Sequence, residues 1–477
     1  MSEPVDVSRP RPTALVIGGG ISGLTAAFEL SCRGLSVTVL EASKRLGGKL
    51  RAGEVAGVST DLGAEAILAR RPEALALAAA LGIDGELVEP ATTTAGVWSR
   101  GRLRPFPQGH VMGVPRSLRS LRASGVVSPA GVARATLDLV LPPTGTADDV
   151  SVAAALRPRL GREVVARLVE PLLGGVYAGR ADRLSLPATA PQLAAALEHG
   201  SVMRSLRRLP TASGQGPVFV GFPGGVARLA DALVRRLSAD GVRLRTSATV
   251  RAVRRAAQGW RCEVGPASAP EIVDGDLVVV AVPAPAAARM LDREFPRLAA
   301  DLSRIEYASV AVVTAVFDAE AVNLPSGSGF LVPAVEKRLI KAVTFSSNKW
   351  PWYAERAPGR VVVRASIGRF GDTADLQRDD DELADRALAE LAALVGIRAH
   401  PLGVDVTRWG GALPQYDVGH LARVARIRSE TARARGMALC GAALDGVGIP
   451  ACIAGARAAV AGLLDTYEPV SRAPGGE

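Results

Sequence analysis

The 477-residue sequence is poor in aromatic side chains, at 4%, and holds only four histidines and four cysteines. Lysine is nearly missing: of 57 basic residues, five are lysine and 52 are arginine. Scarce aromatics and no recognisable binding motif argue against nucleic acid, because single strands are held largely by ring stacking. Cys32, Cys262, Cys440 and Cys452 form no C-x-x-C pair, so reduced thiols are expected rather than a disulfide framework or zinc ribbon. His110, His199, His400 and His420 are far apart in sequence, and neither a metal centre nor a Ser-His-Asp order is expected. No uncharged apolar run reaches the ~18 residues that would span a bilayer. The best candidate, 447–464, is interrupted by Pro450 and Arg457. The start of the chain carries Glu3, Asp6, Arg9 and Arg11 and lacks an apolar signal core. A cytoplasmic location is expected, with a peripheral membrane contact as the remaining lipid association.

What is abundant is positive charge, and it is unevenly spread. The formal net charge is +10, and residues 100–210 alone hold 16 arginines against 7 acids. Such a stretch is either a solvated helical surface or a face turned toward an anionic ligand, lipid or partner.

Residues 14–48 carry the strongest local signal. A short apolar strand, Leu15-Val16-Ile17, runs into Gly18, Gly20 and Gly23, spaced G-x-G-x-x-G. A helical pattern through Leu24, Ala27 and Phe28 follows, then a second strand over 37–40 that ends at Glu41. Each part suits a dinucleotide. Gly18 permits a tight turn, Gly20 lets backbone approach a pyrophosphate, and Gly23 packs helix on sheet. The helix N-terminus favours the phosphates. Gly19, Ile21 and Ser22 fall inside this cradle, and Glu41 is placed to accept from a ribose hydroxyl. After Glu41 and Ala42 come Arg45, Gly47 and Gly48, an E-x-x-x-R-x-G-G run. The diglycine allows close approach, and Arg45 adds charge near the phosphates. With no second G-x-G-x-x-G, a nicotinamide site is not expected.

Along the chain, helix is expected over 72–81, 226–237, 379–396 and 451–464, and strand over 242–244, 249–253, 277–282, 310–317, 361–367 and 437–440. A basic hairpin is centred on Arg100-Gly101-Arg102, and 108–215 reads as mostly helical. The expected architecture is multidomain α/β (α+β). A Rossmann-type dinucleotide-binding domain takes 1–70, 216–290 and 400–470. A mixed-sheet substrate domain takes 71–107 and 291–399. A helical insertion takes 108–215.

Several separated segments then resemble one family. EASKRLGGKL at 41–50 is similar to the flavin amine-oxidase-like superfamily as a whole. EPLLGGVYAG at 170–179, ALPQYDVGH at 412–420 and GVGIPACI at 446–453 resemble the FAD-dependent protoporphyrinogen/coproporphyrinogen oxidases of haem biosynthesis, in their Gram-positive bacterial branch. The resemblance implies non-covalent FAD. It implies that Lys49 and the segment Gly63, Ala64, Glu65 and Ala66 lie along the cofactor, that Val250 meets the adenine, and that Trp409 sits beside the FAD. Val447, Gly448 and Ile449 would present backbone N–H groups near the flavin ring. Gly175, in a turn, would offer its carbonyl to a pyrrole N–H. Ala64 departs from the proline frequent in the family, and still allows close approach.

The implied reaction removes six electrons from a porphyrinogen with molecular oxygen as acceptor, releasing three H2O2. No side-chain catalyst is then required. Coproporphyrinogen III is the expected substrate. Arg71 and Arg100 are the candidate carboxylate anchors, since a guanidinium binds carboxylate bidentately. A ferrochelatase or a membrane surface is the candidate partner. The alternatives are a protoporphyrinogen IX oxidase, a flavin amine or polyamine oxidase, and a non-catalytic porphyrin- or flavin-binding protein. Loop 444–451 lacks the aromatic residue that amine oxidases often place there.

Overall fold

The computed structural model describes residues 11–143, 149–209 and 216–467. The acidic and basic residues expected at the N-terminus before Arg11, and the tail from 468, lie outside them.

Five short parallel strands make one sheet, in the order Met437–Leu439, Leu277–Val280, Thr13–Ile17, Ser36–Leu40, Arg243–Arg245. Parallel strands covered on both faces must be apolar throughout, and the central ones read LVVV and TALVI. Successive side chains point to opposite faces. Ala14 and Val16 therefore join one core with Leu24, Ala27, Ile453 and Ala456 of the helices Ile21–Cys32 and Ile449–Asp465. Leu15 and Ile17 join another, with Leu291 and Leu302 and the antiparallel strands Val250–Arg255 and Trp260–Val264.

A second, seven-stranded sheet is mixed. Its order is Gly403–Pro414, Tyr307–Asp318, Arg360–Ile367, Ile340–Phe345, Gly329–Leu331, Gly96–Ser99, Arg102–Pro105. All pairings are antiparallel except that of Gly329–Leu331 with Gly96–Ser99. The helix Asp380–Val395 buries Leu383, Ala387 and Leu391 against it. Asp379 caps the start through the Glu382 N–H, and Gly396, at φ 77°, ends the helix in left-handed backbone.

Short helices between 118 and 208 enclose a third core around Leu121, Leu156, Leu168, Leu193 and Leu206. One arginine of this basic stretch is internal. Arg159, 1% exposed, meets Asp138 at 2.9 Å and donates to the carbonyls of Pro142 and Gly200. Its charge is therefore spent on the fold, whereas Arg119, Arg122, Arg204, Arg207 and Arg208 are exposed.

Three expected boundaries need correction. Residues 403–414 were expected with the dinucleotide unit but form the edge strand of the seven-stranded sheet, beside Tyr307–Asp318. Residues 73–83, expected with the substrate sheet, place Ala74, Leu77 and Ile83 in the dinucleotide core. The helix Pro296–Ser303 likewise buries Leu298 and Leu302 against Val278 and Val280. In each case the apolar stripe was legible but the surface it covers was not.

Candidate active site

The glycine cradle has the geometry a pyrophosphate needs. Gly18 takes φ +107°, and a Cβ on Gly23 would stand 1.9 Å from the Gly18 carbonyl oxygen, so the helix Ile21–Cys32 can seat this close only with glycine there. Gly19 is packed in the same way, a Cβ on it falling 2.4 Å from Leu46. Gly20 differs: a Cβ on it would find no neighbour nearer than Gly48 Cα at 4.0 Å, so its open side faces free space. The first intrahelical bond is Leu24 N–H to the Gly20 carbonyl, which leaves the N–H groups of Ile21, Ser22 and Gly23 unclaimed by the helix. No acidic residue occupies the first turn. This donor set fits the diphosphate of a flavin dinucleotide.

Around the cradle the second glycine pair closes in. Gly47 N–H donates to the Gly19 carbonyl at 2.8 Å, and a Cβ on Gly48 would lie 2.9 Å from Gly20. Arg45 donates to the carbonyls of Leu46 and Gly48, so its guanidinium shapes the loop. Glu41 accepts from Gly19 N–H at 2.6 Å and Ser43 N–H at 2.7 Å. Its backbone carbonyl accepts from Ala248 N–H at 2.8 Å, which brings the chain leading into buried Val250 alongside. Ala42 is exposed next to it.

A second helix end converges here. Ile449–Asp465 packs against Ile21–Cys32, and its N-cap is Gly448. The Cys452 thiol donates to the Gly446 carbonyl at 3.6 Å, and Lys49 lies close enough to act on it. Burial pushes the Cys452 thiol up and the Lys49 ammonium down. Val447 is half-buried against the helical core. Cys440 and Cys262 are buried too, and all four cysteines are unpaired.

The segment 62–66 is pinned from three sides. Ala64 N–H donates to the Lys49 carbonyl at 3.2 Å, the Trp409 indole N–H to the Leu62 carbonyl at 3.1 Å, and Arg364 to the Gly63 carbonyl at 2.7 Å. A Cβ on Gly63 would sit 2.0 Å from the Lys49 oxygen and 3.1 Å from the Trp409 ring. Ala64 packs on the dinucleotide core and Ala66 on the cluster around Trp350. Glu65 departs from expectation. Its carboxylate is turned to Ser346, Lys349 at 3.4 Å and Arg364 at 3.4 Å, so only its backbone is left to line a cofactor. Burial pushes that carboxyl up, but Lys349 and Arg364 outweigh it and hold it below the usual range.

The expected substrate anchors fare differently. Gly175 lies in the last turn of the helix Glu170–Tyr177, not in a turn, where carbonyls lack an intrahelical partner. It is exposed, with Leu331 nearby. Arg71 is already paired, its guanidinium 2.6 Å from Glu73. Arg100 sits at the tip of the hairpin Gly96–Ser99/Arg102–Pro105, at φ 55°, and donates to the Val127 carbonyl. Neither lines the cleft beside Gly174, a void of about 140 Å3 bordered by Glu170, Arg180, Lys341, Arg369 and Asp372. Lys341 is the residue sequence reasoning missed. Its neighbours Ile340 and Phe345 read as ordinary buried strand, and one lysine in it gives no sign of where it points.

Among the described residues, no helix is long and apolar enough to cross a membrane. The flavin containing amine oxidoreductase model matches residues 21–464. A coproporphyrinogen III oxidase of Mycobacterium leprae is 41% identical, over 94% of this chain and 97% of its own. A protein of the same name from Bacillus subtilis is 34% identical, over 95% and 98%. A solved structure from Exiguobacterium sp. 255-15, provisionally named a protoporphyrinogen oxidase, superposes with TM-score 0.84 at 31% identity, over 95% of this chain and 99% of that one. A glycine cradle fitted to a dinucleotide, two converging helix ends and these full-length relatives agree: the chain is an FAD-dependent oxidoreductase that belongs to the flavin containing amine oxidoreductase family.

Proposed function

We propose that this protein oxidises coproporphyrinogen III to coproporphyrin III, consuming three O2 and releasing three H2O2. The observation that carries the reading is the 41% identity, over nearly both whole chains, to the Mycobacterium leprae coproporphyrinogen III oxidase. Bound FAD supplies a two-electron hydride acceptor.

The chain's own work is binding, orientation and exclusion of water. Unclaimed N–H groups of Ile21, Ser22 and Gly23 hold the diphosphate, and Gly20 leaves it room. The N-terminus of Ile449–Asp465, with Gly448 as N-cap, presents the positive end of a helix dipole where negative charge can be held. The bonds from Trp409 to Leu62 and from Arg364 to Gly63 fix the 62–65 backbone against the cofactor side of the sheet. Gly175, with its carbonyl free of the helix, faces the substrate. Burial keeps Cys452 a thiol rather than a thiolate, which disfavours covalent attachment of the flavin. Among partners, a downstream ferrochelatase or an anionic membrane would meet the exposed arginines at 119, 122, 204, 207 and 208.

The Exiguobacterium structure favours a second reading, protoporphyrinogen IX as substrate. Purified holoenzyme given each porphyrinogen separately, with porphyrin fluorescence followed in time, distinguishes the two. The expected result is a higher kcat/KM for coproporphyrinogen III. A higher value for protoporphyrinogen IX would replace the first reading by the second.

A further inference from the structure

The cleft beside the helix Glu170–Tyr177 contains a cation with no evident structural use. Lys341 is 7% exposed, yet among the described residues no carboxylate lies within 4.0 Å of its ammonium. It borders the cleft with Arg369, Arg180, Glu170, Gly174 and Asp372.

Its direction is set by a register shift. In the pairing of Ile340–Phe345 with Arg360–Ile367, Ile340 stands opposite Ile367 and Ala342 opposite Ser366, so Lys341 is the extra residue of a β-bulge. A bulge breaks the alternation of faces and re-aims one side chain, and bulges gather next to active sites. Here both Ile340 and Lys341 are buried, which regular alternation over one covered face would not produce. The Lys341 carbonyl is secured by Val332 N–H at 2.8 Å, so the bulge is fixed.

Arg369 is held the same way. It donates to the carbonyls of Arg338 at 3.0 Å, Val332 at 3.0 Å and Ile340 at 3.2 Å. Three neutral acceptors orient the guanidinium, while the carboxylates of Asp372, Glu390 and Glu170 act on it without forming a close ion pair. Its like charge adds to burial in pushing the Lys341 ammonium down to about 7. Two cations are thus kept beside one void, at a cost to stability. Arg180, by contrast, has Asp182 at 3.3 Å.

We propose that Lys341 and Arg369 form a subsite for one carboxylate arm of the substrate, reached past Gly174. The volume fits an arm and not a macrocycle: about 140 Å3, against the roughly 300–1,000 Å3 of clefts that enclose a whole ligand. That the carboxylate is a propionate rests on the porphyrinogen reading; the anion subsite itself does not. Glu170 and Asp372 on the same wall repel a poorly placed anion, which makes the subsite selective in position as well as charge.

The test uses holoenzyme and three forms: wild type, Lys341→Met and Lys341→Arg. Methionine keeps the length and apolar stem, so folding is retained, and flavin absorbance checks it. Binding of coproporphyrin III and of its tetramethyl ester is titrated by fluorescence quenching in one fixed buffer. The subsite predicts that Lys341→Met weakens the acid about tenfold or more, the scale of a charged hydrogen bond, and leaves the ester unchanged. Lys341→Arg should stay within about threefold of wild type. Unchanged acid binding in Lys341→Met, or equal losses for acid and ester, would overturn the proposal. If the binding pattern holds but wild type fails to oxidise coproporphyrinogen III, the subsite stands and the functional reading falls.

Discussion

Replacing Lys341 by methionine should make the protein more stable and a poorer binder, and that opposition is what separates a functional residue from a structural one. Its folded pKa, about 7, lies below the ordinary 10.5. Stability is therefore full above 10.5 and is lost as pH falls from there through 7. At pH 7 the substitution should raise the unfolding free energy by about 1–3 kcal/mol, read as a higher Tm, with little gain near pH 10. The same titration governs binding. Arg369, Arg180, Glu170 and Asp372 border the same void, and Glu390 holds the Ile340 N–H beside Lys341. Burial, then Asp182, pushes the Glu170 carboxyl up. Wild-type kcat/KM should fall above pH 7 as the ammonium is lost, Glu170→Gln should keep that fall, and Lys341→Met should abolish it. A fall that vanishes in Glu170→Gln instead would assign the titration to the carboxyl. At the cradle, Gly20→Val should fold but purify without flavin, because its side chain would enter the space left for the diphosphate.

At the scale of elements, two glycines predict opposite outcomes. Gly175→Ala adds a methyl 3.8 Å from Leu331, ordinary contact, inside a helix that prefers alanine by about 0.5–1 kcal/mol. Its Tm should hold or rise while KM for the porphyrinogen rises. Gly63→Ala drives a methyl to 2.0 Å from the Lys49 carbonyl oxygen, so Tm and flavin content should drop together. The strand–cradle–helix unit at 13–40 was legible in the sequence because glycine spacing, apolar runs and a terminal acid are all local signals. The partners of those elements were not. Glu65 reads as a cofactor neighbour until Ser346, Lys349 and Arg364 arrive from some 280 to 300 residues away. Arg71 reads as an anchor until Glu73 neutralises it, and Lys341 reads as nothing until a bulge turns it. Side-chain direction is a tertiary property, and an arginine count cannot supply it.

At the scale of the molecule, the Glu65 cluster ties the cradle side to the seven-stranded sheet, since 61–66 belongs to one, Arg364 is part of the strand Arg360–Ile367 of the other, and Lys349 ends the short helix after its strand Ile340–Phe345. Its carboxyl is held below the ordinary 4.5, so its contribution is present above 4.5 and is lost as pH falls through the lower folded value. Glu65→Gln should cost about 3–5 kcal/mol at neutral pH, because it strands buried Arg364 and half-buried Lys349, and should flatten the acid limb of the Tm profile. An unchanged acid limb would place the pH-sensitive joint elsewhere. The exposed arginines at 119, 122, 204, 207 and 208 sit on the helical part of the molecule, and any binding to anionic vesicles should weaken as salt is raised.

The proposed reaction is a six-electron oxidation of coproporphyrinogen III through a non-covalent flavin. Its most direct test is one reaction of acid-releasable holoenzyme with coproporphyrinogen III, in which porphyrin formed, O2 consumed and H2O2 released are counted together. Three O2 and three H2O2 per coproporphyrin III are expected, with all flavin in the supernatant after acid precipitation. One peroxide per porphyrin, turnover without oxygen, or yellow colour left in the pellet would contradict it.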